Sequence, residues 1–212
     1  MRLRKKHWAI PEMKENPYVY FDAAEYKGKW KEVFENSNKI HIEIGAGKGA
    51  FIQELARRNK NINYVIIEQE SNAFVYATRK IIEEKLENVR ALPINAEKIN
   101  EYFDKEEIDR IYINFCNPWP KLRHQKRRLT HPRFLVQYRE ILKKDAEVHF
   151  KTDDLDLFND SLKYFEDNKF KIMKCTRNMK LEDYPENIVT EYENKWRSKN
   201  IPICYGVFRI EK

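Results

Sequence analysis

Short runs rich in isoleucine, valine and aromatic residues recur along the chain, separated by stretches whose apolar positions fall three and four residues apart. The runs predict strands at 39–44 (KIHIEI), 63–68 (NYVIIE), 89–94 (VRALPI), 109–115 (DRIYINF), 146–151 (AEVHFK), 170–175 (FKIMKC) and 202–210 (PICYGVFRI). The spacing between them predicts helices, notably over 49–59, 71–87, 131–143, 154–168 and 190–198. Strands alternating with helices predict an α/β fold built on a mostly parallel sheet with helices on both faces. Ahead of the first strand, the pattern predicts an amphipathic helix from Asp22 to about Glu35, preceded by a basic arm of Arg2, Arg4, Lys5, Lys6 and His7. No repeat, Ser/Gly linker or low-complexity tract divides the remainder, so the expected organisation is an arm and helix over 1–38 and one domain over 39–212.

A chain of 212 residues can bury a full core, on the order of 70% of the surface that its unfolded form exposes. Cys116, Cys175 and Cys204 are odd in number and lack any CxxC or Cys/His spacing, so neither a disulfide framework nor a metal site is expected. No segment approaches the roughly 20 apolar residues of a membrane helix, and no apolar stretch follows the N-terminal charges; a cytoplasmic protein with no membrane partner is expected. Lysine and arginine exceed aspartate and glutamate by seven, 41 against 34. That excess favours a polyanionic partner, although solubility alone also accounts for it.

The first strand ends in Glu43-Ile-Gly45-Ala-Gly47-Lys-Gly49 and runs straight into a helix. Glycines in a strand-to-helix turn let the backbone approach a nucleotide closely, though they also serve a plain tight turn. The spacing is GxGxG, which matches neither the GxGxxG of dinucleotide folds nor the GxxxxGK[ST] of phosphate loops. Glu68, at the end of the second strand, can accept both hydroxyls of a ribose. Glu43 repels phosphate and welcomes an ammonium group, so a nucleoside carrying an amino acid suits the pair.

The loop after the fourth strand, Asn114-Phe-Cys-Asn117-Pro118-Trp119-Pro120-Lys121-Leu-Arg123-His124-Gln-Lys126-Arg127-Arg128-Leu-Thr130, lies where open α/β sheets keep their binding crevice. Two prolines around Trp119 remove backbone donors and predict a rigid extended turn. From Lys121 to Arg128 there are five fixed positive charges and no acid. The octet suits phosphate binding, with a solvated basic loop as the plainer alternative.

EIGAGKG followed by IIE resembles the first two motifs of the class I S-adenosylmethionine-dependent methyltransferases, from about residue 39 to the end of the chain. The resemblance implies a Rossmann-like, seven-stranded, mostly parallel sheet whose last strand is antiparallel. It implies S-adenosyl-L-methionine as cofactor, bound by Glu43, Gly45, Gly47, Gly49 and Glu68. It also brings Asn95, after the third strand, to the adenine; an acid is common there, an asparagine can accept and donate in its place, and an Asx-turn is the local alternative. NFCNPWPKLRHQKRRLT is more specific, being similar to the signature NF.DPWPK.RH.KRRLT of the bacterial tRNA (guanine-N7)-methyltransferases. That family implies transfer of a methyl group to a variable-loop guanine of tRNA, with no metal. The departure is Asn117, a candidate catalytic and cofactor-contacting position where the family usually has aspartate.

The same resemblance assigns Lys121 to substrate binding and Arg123, His124, Lys126, Arg127 and Arg128 to tRNA contacts. Lys151-Thr152-Asp153 and Thr190-Glu191-Tyr192-Glu193 are similar to the family's substrate motifs KTD and T.[FY]E. Methylation of N7 leaves the Watson-Crick edge of guanine free, and a carboxylate can accept from both N1–H and the exocyclic amine there. Asp153 and Glu193 are the candidates, with helix capping by Asp153 and a capping box at Thr190 and Glu193 as local alternatives. Two other functions remain open at this point. Asn117-Pro118-Trp119-Pro120 is a variant of the NPP[YF] loop that methylates exocyclic amines, and loss of acids at positions 95 and 117 suits a catalytically silent RNA-binding protein.

Overall fold

The computed structural model describes residues 6–212, so Arg2, Arg4 and Lys5 lie outside the described residues. Two short helices, α1 (Ala9–Lys14) and α2 (Trp30–Val33), precede strand β1 (Lys39–Ile44). The chain then alternates through α3 (Ala50–Arg58), β2 (Ile62–Ile67), α4 (Ser71–Glu83), β3 (Val89–Leu92), α5 (Ile99–Tyr102), β4 (Ile108–Asn114), α6 (Pro132–Ile141), β5 (Leu142–Thr152), α7 (Leu155–Asp167), β6 (Phe170–Thr176), α8 (Glu191–Arg197) and β7 (Cys204–Ile210). The seven strands form one sheet in the order β3-β2-β1-β4-β5-β7-β6. Strands β1 to β5 run parallel, and β7 is antiparallel to both β5 and β6. This is the class I methyltransferase arrangement.

The central strands are apolar on both faces because helices cover both. On one side Ile40, Ile42 and Ile44 of β1 pack with Phe134, Leu135 and Tyr138 of α6 and Phe158 and Phe165 of α7. On the other, Tyr64 and Ile66 of β2 meet Phe51 and Ile52 of α3 and Phe74, Val75 and Ile81 of α4. Helix starts follow local chemistry: Pro132 opens α6, and the Thr190 hydroxyl accepts the Glu193 amide at 3.1 Å at the start of α8. The cap of α7 is Asp154, whose Oδ1 accepts the Leu157 amide at 2.7 Å. Capping, the local alternative to a base-gripping Asp153, therefore falls to its neighbour.

The predicted elements are present with ends shifted by a few residues, and two differences have clear causes. The helix expected from Asp22 to Glu35 breaks into a 3-10 turn at Ala24–Tyr26 and the single turn of α2, parted by Gly28 at φ +76°. Strand β5 begins at Leu142, inside the helix predicted to 143, because its early residues Lys143 and Lys144 are polar and hide the strand pattern.

Residues 6–38 pack into the body of the fold. Trp30 is fully buried among Phe34, Phe103, Tyr20 and Tyr26, and its Nε1 donates to the Tyr102 carbonyl at 2.9 Å. Tyr20 N and Tyr18 O bond the backbone of Ala91 on the edge strand, each at 2.9 Å. Ala9 and Met13 of α1 are buried with the residues of α4. Helix α1 escapes the sequence pattern because Pro11 interrupts it, yet proline is tolerated in the first turn of a helix.

Candidate active site

Strand β1 is the point where the chain reverses its direction across the sheet, with β2 on one side and β4 on the other. Crevices open at the carboxyl ends of such strands. Here a cavity of 640 Å³ is lined by Glu43, the glycine turn, Phe51, Asn114, Phe115 and the Thr190–Tyr192 segment at the start of α8. The turn between β1 and α3 is shaped by its glycines. A side chain at Gly49 (φ +74°) would collide with Ala77 of α4 at 2.8 Å, whereas one at Gly47 (φ +56°) would meet nothing within 4 Å but would be strained by the left-handed backbone.

Glu43 is 3% exposed at the cavity floor. Its Oε1 accepts from Asn114 Nδ2 at 2.9 Å, and its Oε2 has no hydrogen-bond partner among the described residues. Burial pushes its pKa up to about 7, against the pull of the Asn114 hydrogen bond and of Lys151. A buried carboxylate oxygen without a donor is a strong site for a ligand cation. Glu68, just past β2, accepts the Gly47 amide on Oε2 at 3.1 Å and the Glu70 amide on Oε1 at 2.8 Å. It thereby holds the turn in place from outside the cavity lining, with a second lone pair on each oxygen. These groups together fit a nucleoside bearing an amino acid, as S-adenosylmethionine is.

The other expected residues divide into those at the cavity and those away from it. Thr190, Glu191 and Tyr192 line it. Asn95 is exposed and outside the lining, its Oδ1 accepting the Glu97 amide at 3.0 Å in the Asx-turn that was the local alternative. Asn117 likewise closes a turn, accepting the Trp119 amide at 3.1 Å, with Trp119 at φ +42°. Either an asparagine or an aspartate oxygen can fill that role, which explains in part how this position departs from the aspartate pattern.

The basic loop is not uniform. Lys121, Arg123, Lys126 and Arg127 are exposed. The Arg127 guanidinium lies 5.0 Å from the Trp119 ring, and His124 packs against the same ring at 5.7 Å, so the loop carries its own aromatic brace. Arg128 corrects the expectation of an RNA contact: it is 2% exposed, donating from Nε to the Pro118 carbonyl at 2.7 Å and from Nη1 to Asp160 of α7 at 2.6 Å. Its charge is taken up in fastening the loop to the domain.

Glu193 is a second correction. It is fully buried beneath the cavity wall, with Lys151 Nζ at 2.9 Å, Asn187 Nδ2 at 3.0 Å and Arg197 Nε at 2.8 Å, and it is not free to grip a base. Asp153 remains available: half-buried, with no side-chain hydrogen bond among the described residues and a pKa raised by burial. Sequence reasoning named Lys151 only as the first residue of the KTD motif, with no partner for it, and missed Asn187 and Arg197, which no local pattern marks. Among the described residues no cluster of histidine, cysteine or carboxylate side chains could hold a metal.

A sequence profile for the family described as "Putative methyltransferase" matches residues 37–205. The chain is 49% identical over 211 residues to the tRNA (guanine-N(7)-)-methyltransferase of Clostridium tetani, covering all of both chains. It is 44% identical to the protein of that name from Desulfitobacterium hafniense strain DCB-2, again over the full length of both. The chain belongs to the tRNA (guanine-N7)-methyltransferase family. Solved structures share the fold at lower identity. An antibiotic-related methyltransferase superposes with a TM-score of 0.65 at 21% identity, covering 87% of this chain and 94% of that one. The 16S rRNA methyltransferase KamB gives 0.68 at 13% identity, covering 91% and 95%.

For this member of the tRNA (guanine-N7)-methyltransferase family, a ligand ammonium at Glu43 is expected to make cofactor affinity depend on pH with a defined sign. A ligand ammonium pairs with the ionised carboxylate, so below about 7 the protein must first lose a proton there. Calorimetric affinity for S-adenosylhomocysteine is expected to be level just above that pH and to fall toward about tenfold per unit below it. Glu43→Gln removes this acid limb and weakens binding by about 10- to 100-fold. An unchanged acid limb in that variant would show that another group titrates.

Proposed function

We propose that this chain transfers the methyl group of S-adenosylmethionine to N7 of a guanine in tRNA. The observation that carries this reading is the continuity of one loop. Phe115 walls the cofactor cavity, and within a few residues the same segment presents Arg123, Lys126 and Arg127 to solvent on a braced turn. A polyanion held by those cations lies along the same loop that walls the cavity. Full-length relatives named for tRNA guanine-N7 methylation support the choice of substrate. Arg123, His124, Lys126 and Arg127 are the RNA-facing set, and exposed Lys121, ahead of them in the loop, is the substrate-binding lysine.

S-adenosylmethionine, when bound, supplies a methyl group on positively charged sulfur. Glu43 holds the amino-acid ammonium of that cofactor, and Glu68 accepts from its ribose hydroxyls. Guanine N7 has an in-plane lone pair and no proton, so the protein needs no general base at the reacting atom. What it must supply is orientation. Asp153 accepts from N1–H and the exocyclic amine, which turns N7 toward the cavity, and its charge offsets the positive charge that the base acquires. Tyr192, exposed on the cavity wall and tilted against Phe115 at 5.2 Å, offers a ring face for the base. An asparagine at 117 is compatible with this chemistry, because nothing in it requires a proton acceptor there.

Mass spectrometry of nucleosides from unmodified tRNA incubated with the protein and S-adenosylmethionine is expected to show 7-methylguanosine. A methylated exocyclic amine would assign the chain to NPP[YF]-like chemistry instead, and tRNA binding without methylation would assign it to a silent scaffold. The division within the basic loop has its own signature in the salt dependence of tRNA affinity. Arg127→Ala is expected to flatten the slope of log affinity against log salt by about 0.7 to 0.9. Arg128→Ala should leave that slope unchanged and lower the thermal midpoint, since its charge is bound inside; the reverse pattern would place Arg128 on the RNA.

A further inference from the structure

Alternation along β5 sends Glu147, His149 and Lys151 to one face of the sheet and Val148 and Phe150 to the other. Lys151, at the strand's carboxyl end, is 3% exposed. An ammonium carries three donors, and Lys151 gives its three to Asn187 Oδ1 at 2.9 Å, the Ile188 carbonyl at 3.2 Å and Glu193 Oε2 at 2.9 Å. The rings of Phe51 and Phe115 stand 5.1 and 5.8 Å from Nζ and close off its sides. Burial pulls its pKa below the ordinary lysine value, while Glu193 pulls it back up.

All three acceptors lie in the segment between β6 and β7 that supplies Thr190, Glu191 and Tyr192 to the cavity wall. Among the described residues, the backbone hydrogen bonds of residues 180–200 stay within that segment. Arg197 ties it to its own beginning, donating to the Met179 carbonyl at 2.9 Å. Every side-chain hydrogen bond that joins residues 180–200 to the sheet comes from Lys151. What remains is apolar and aromatic contact, through buried Ile188, Tyr184 edge-on to Tyr205 of β7 at 5.3 Å and Trp196 on the cluster of Tyr205 and Val207, and the exposed Lys174–Glu186 pair at 3.9 Å.

We propose that Lys151 is a positioning residue, a buried ammonium that latches residues 184–197 against the sheet and so sets the wall against which the substrate base is aligned. The proposal rests on the function given above for the meaning of that wall, but the latch itself is independent of it. An ionic latch suits a wall that must open for a bulky substrate. Buried charges lose hydration when paired and regain it when parted, so opening costs less than the Coulomb attraction alone implies. The segment can then open as a local unit while the sheet stays folded.

Hydrogen exchange of the full chain with and without S-adenosylhomocysteine tests the latch without RNA. In Lys151→Met, amides of residues 184–197 are expected to exchange at least about tenfold faster, with β1 and β4 unchanged. In steady-state kinetics the same variant raises the KM for tRNA by at least about tenfold, while affinity for S-adenosylhomocysteine, measured well above the Glu43 titration because Lys151 helps keep that carboxyl ionised, changes by less than about threefold. The double variant Lys151→Met/Glu193→Gln, which removes both charges of the latch and leaves Arg197 with a neutral partner, recovers part of the thermal midpoint but not the protection. Should Lys151→Met fail to fold, Asn187→Ala removes one acceptor from the segment and is expected to loosen the same amides to a smaller degree. Unchanged protection of 184–197 in the variants, or its loss in step with β1 and β4, overturns the latch. Absence of 7-methylguanosine in the nucleoside test would overturn the function and leave these exchange results to be judged alone.

Discussion

The carboxylate of Glu43 ends a central strand, with helices packed on both faces of the sheet around it and almost no access for water. A charge in such a place is costly unless its oxygens find donors. Asn114, at the end of the neighbouring strand β4, provides one donor, and the second oxygen has none. The sheet thus leaves its own hydrogen bonding incomplete at one atom, inside a cavity wide enough for a nucleoside. The surrounding features serve that atom. Gly47 keeps the cavity open beside it, Glu68 fixes the glycine turn from the next strand, and Phe51 and Phe115 keep the floor dry.

Other buried charges contrast with Glu43 because they are fully paired. Arg128 is satisfied by Pro118 and Asp160, and Lys151 by the segment that includes Glu193. Such pairs add little net stability relative to apolar contacts, but they accept one geometry and reject others. One fastens the basic loop that carries the exposed cations, and the other fastens the wall opposite the glycine turn. The rigid parts of the site are therefore set by charges turned inward, and the functional surface by charges left outward.

Much of this was legible in the sequence where a residue's role follows from its neighbours along the chain. The strand-helix rhythm placed the sheet, and GxGxG after a strand placed the crevice, because both depend on local periodicity and backbone freedom. Helix α1 and the broken segment at 22–35 were not legible, since Pro11 interrupts the pattern of a helix held by packing on α4, and Gly28 breaks the second segment beside Asp104 and Glu107. Nor could the pattern tell Arg127 from Arg128. Adjacent arginines look alike in a charge run, and only the approach of α7 shows which one turns inward. The same limit applied to Asp153 and Glu193: both were read as base-gripping acids or caps, and the arrangement of Asp154, Lys151 and Arg197 separates them.

The claim that Glu43 is an incomplete buried acid awaiting a ligand ammonium is tested most directly by comparing two ligands that differ only at that end. S-adenosylhomocysteine carries the amino acid, and 5′-methylthioadenosine keeps the nucleoside and thioether without it. Calorimetry just above neutral pH is predicted to show the natural chain favouring S-adenosylhomocysteine by about 100-fold or more, with most of that preference lost in Glu43→Gln while affinity for methylthioadenosine stays nearly the same. An equal preference in both proteins would contradict the account and move the ammonium site elsewhere in the cavity.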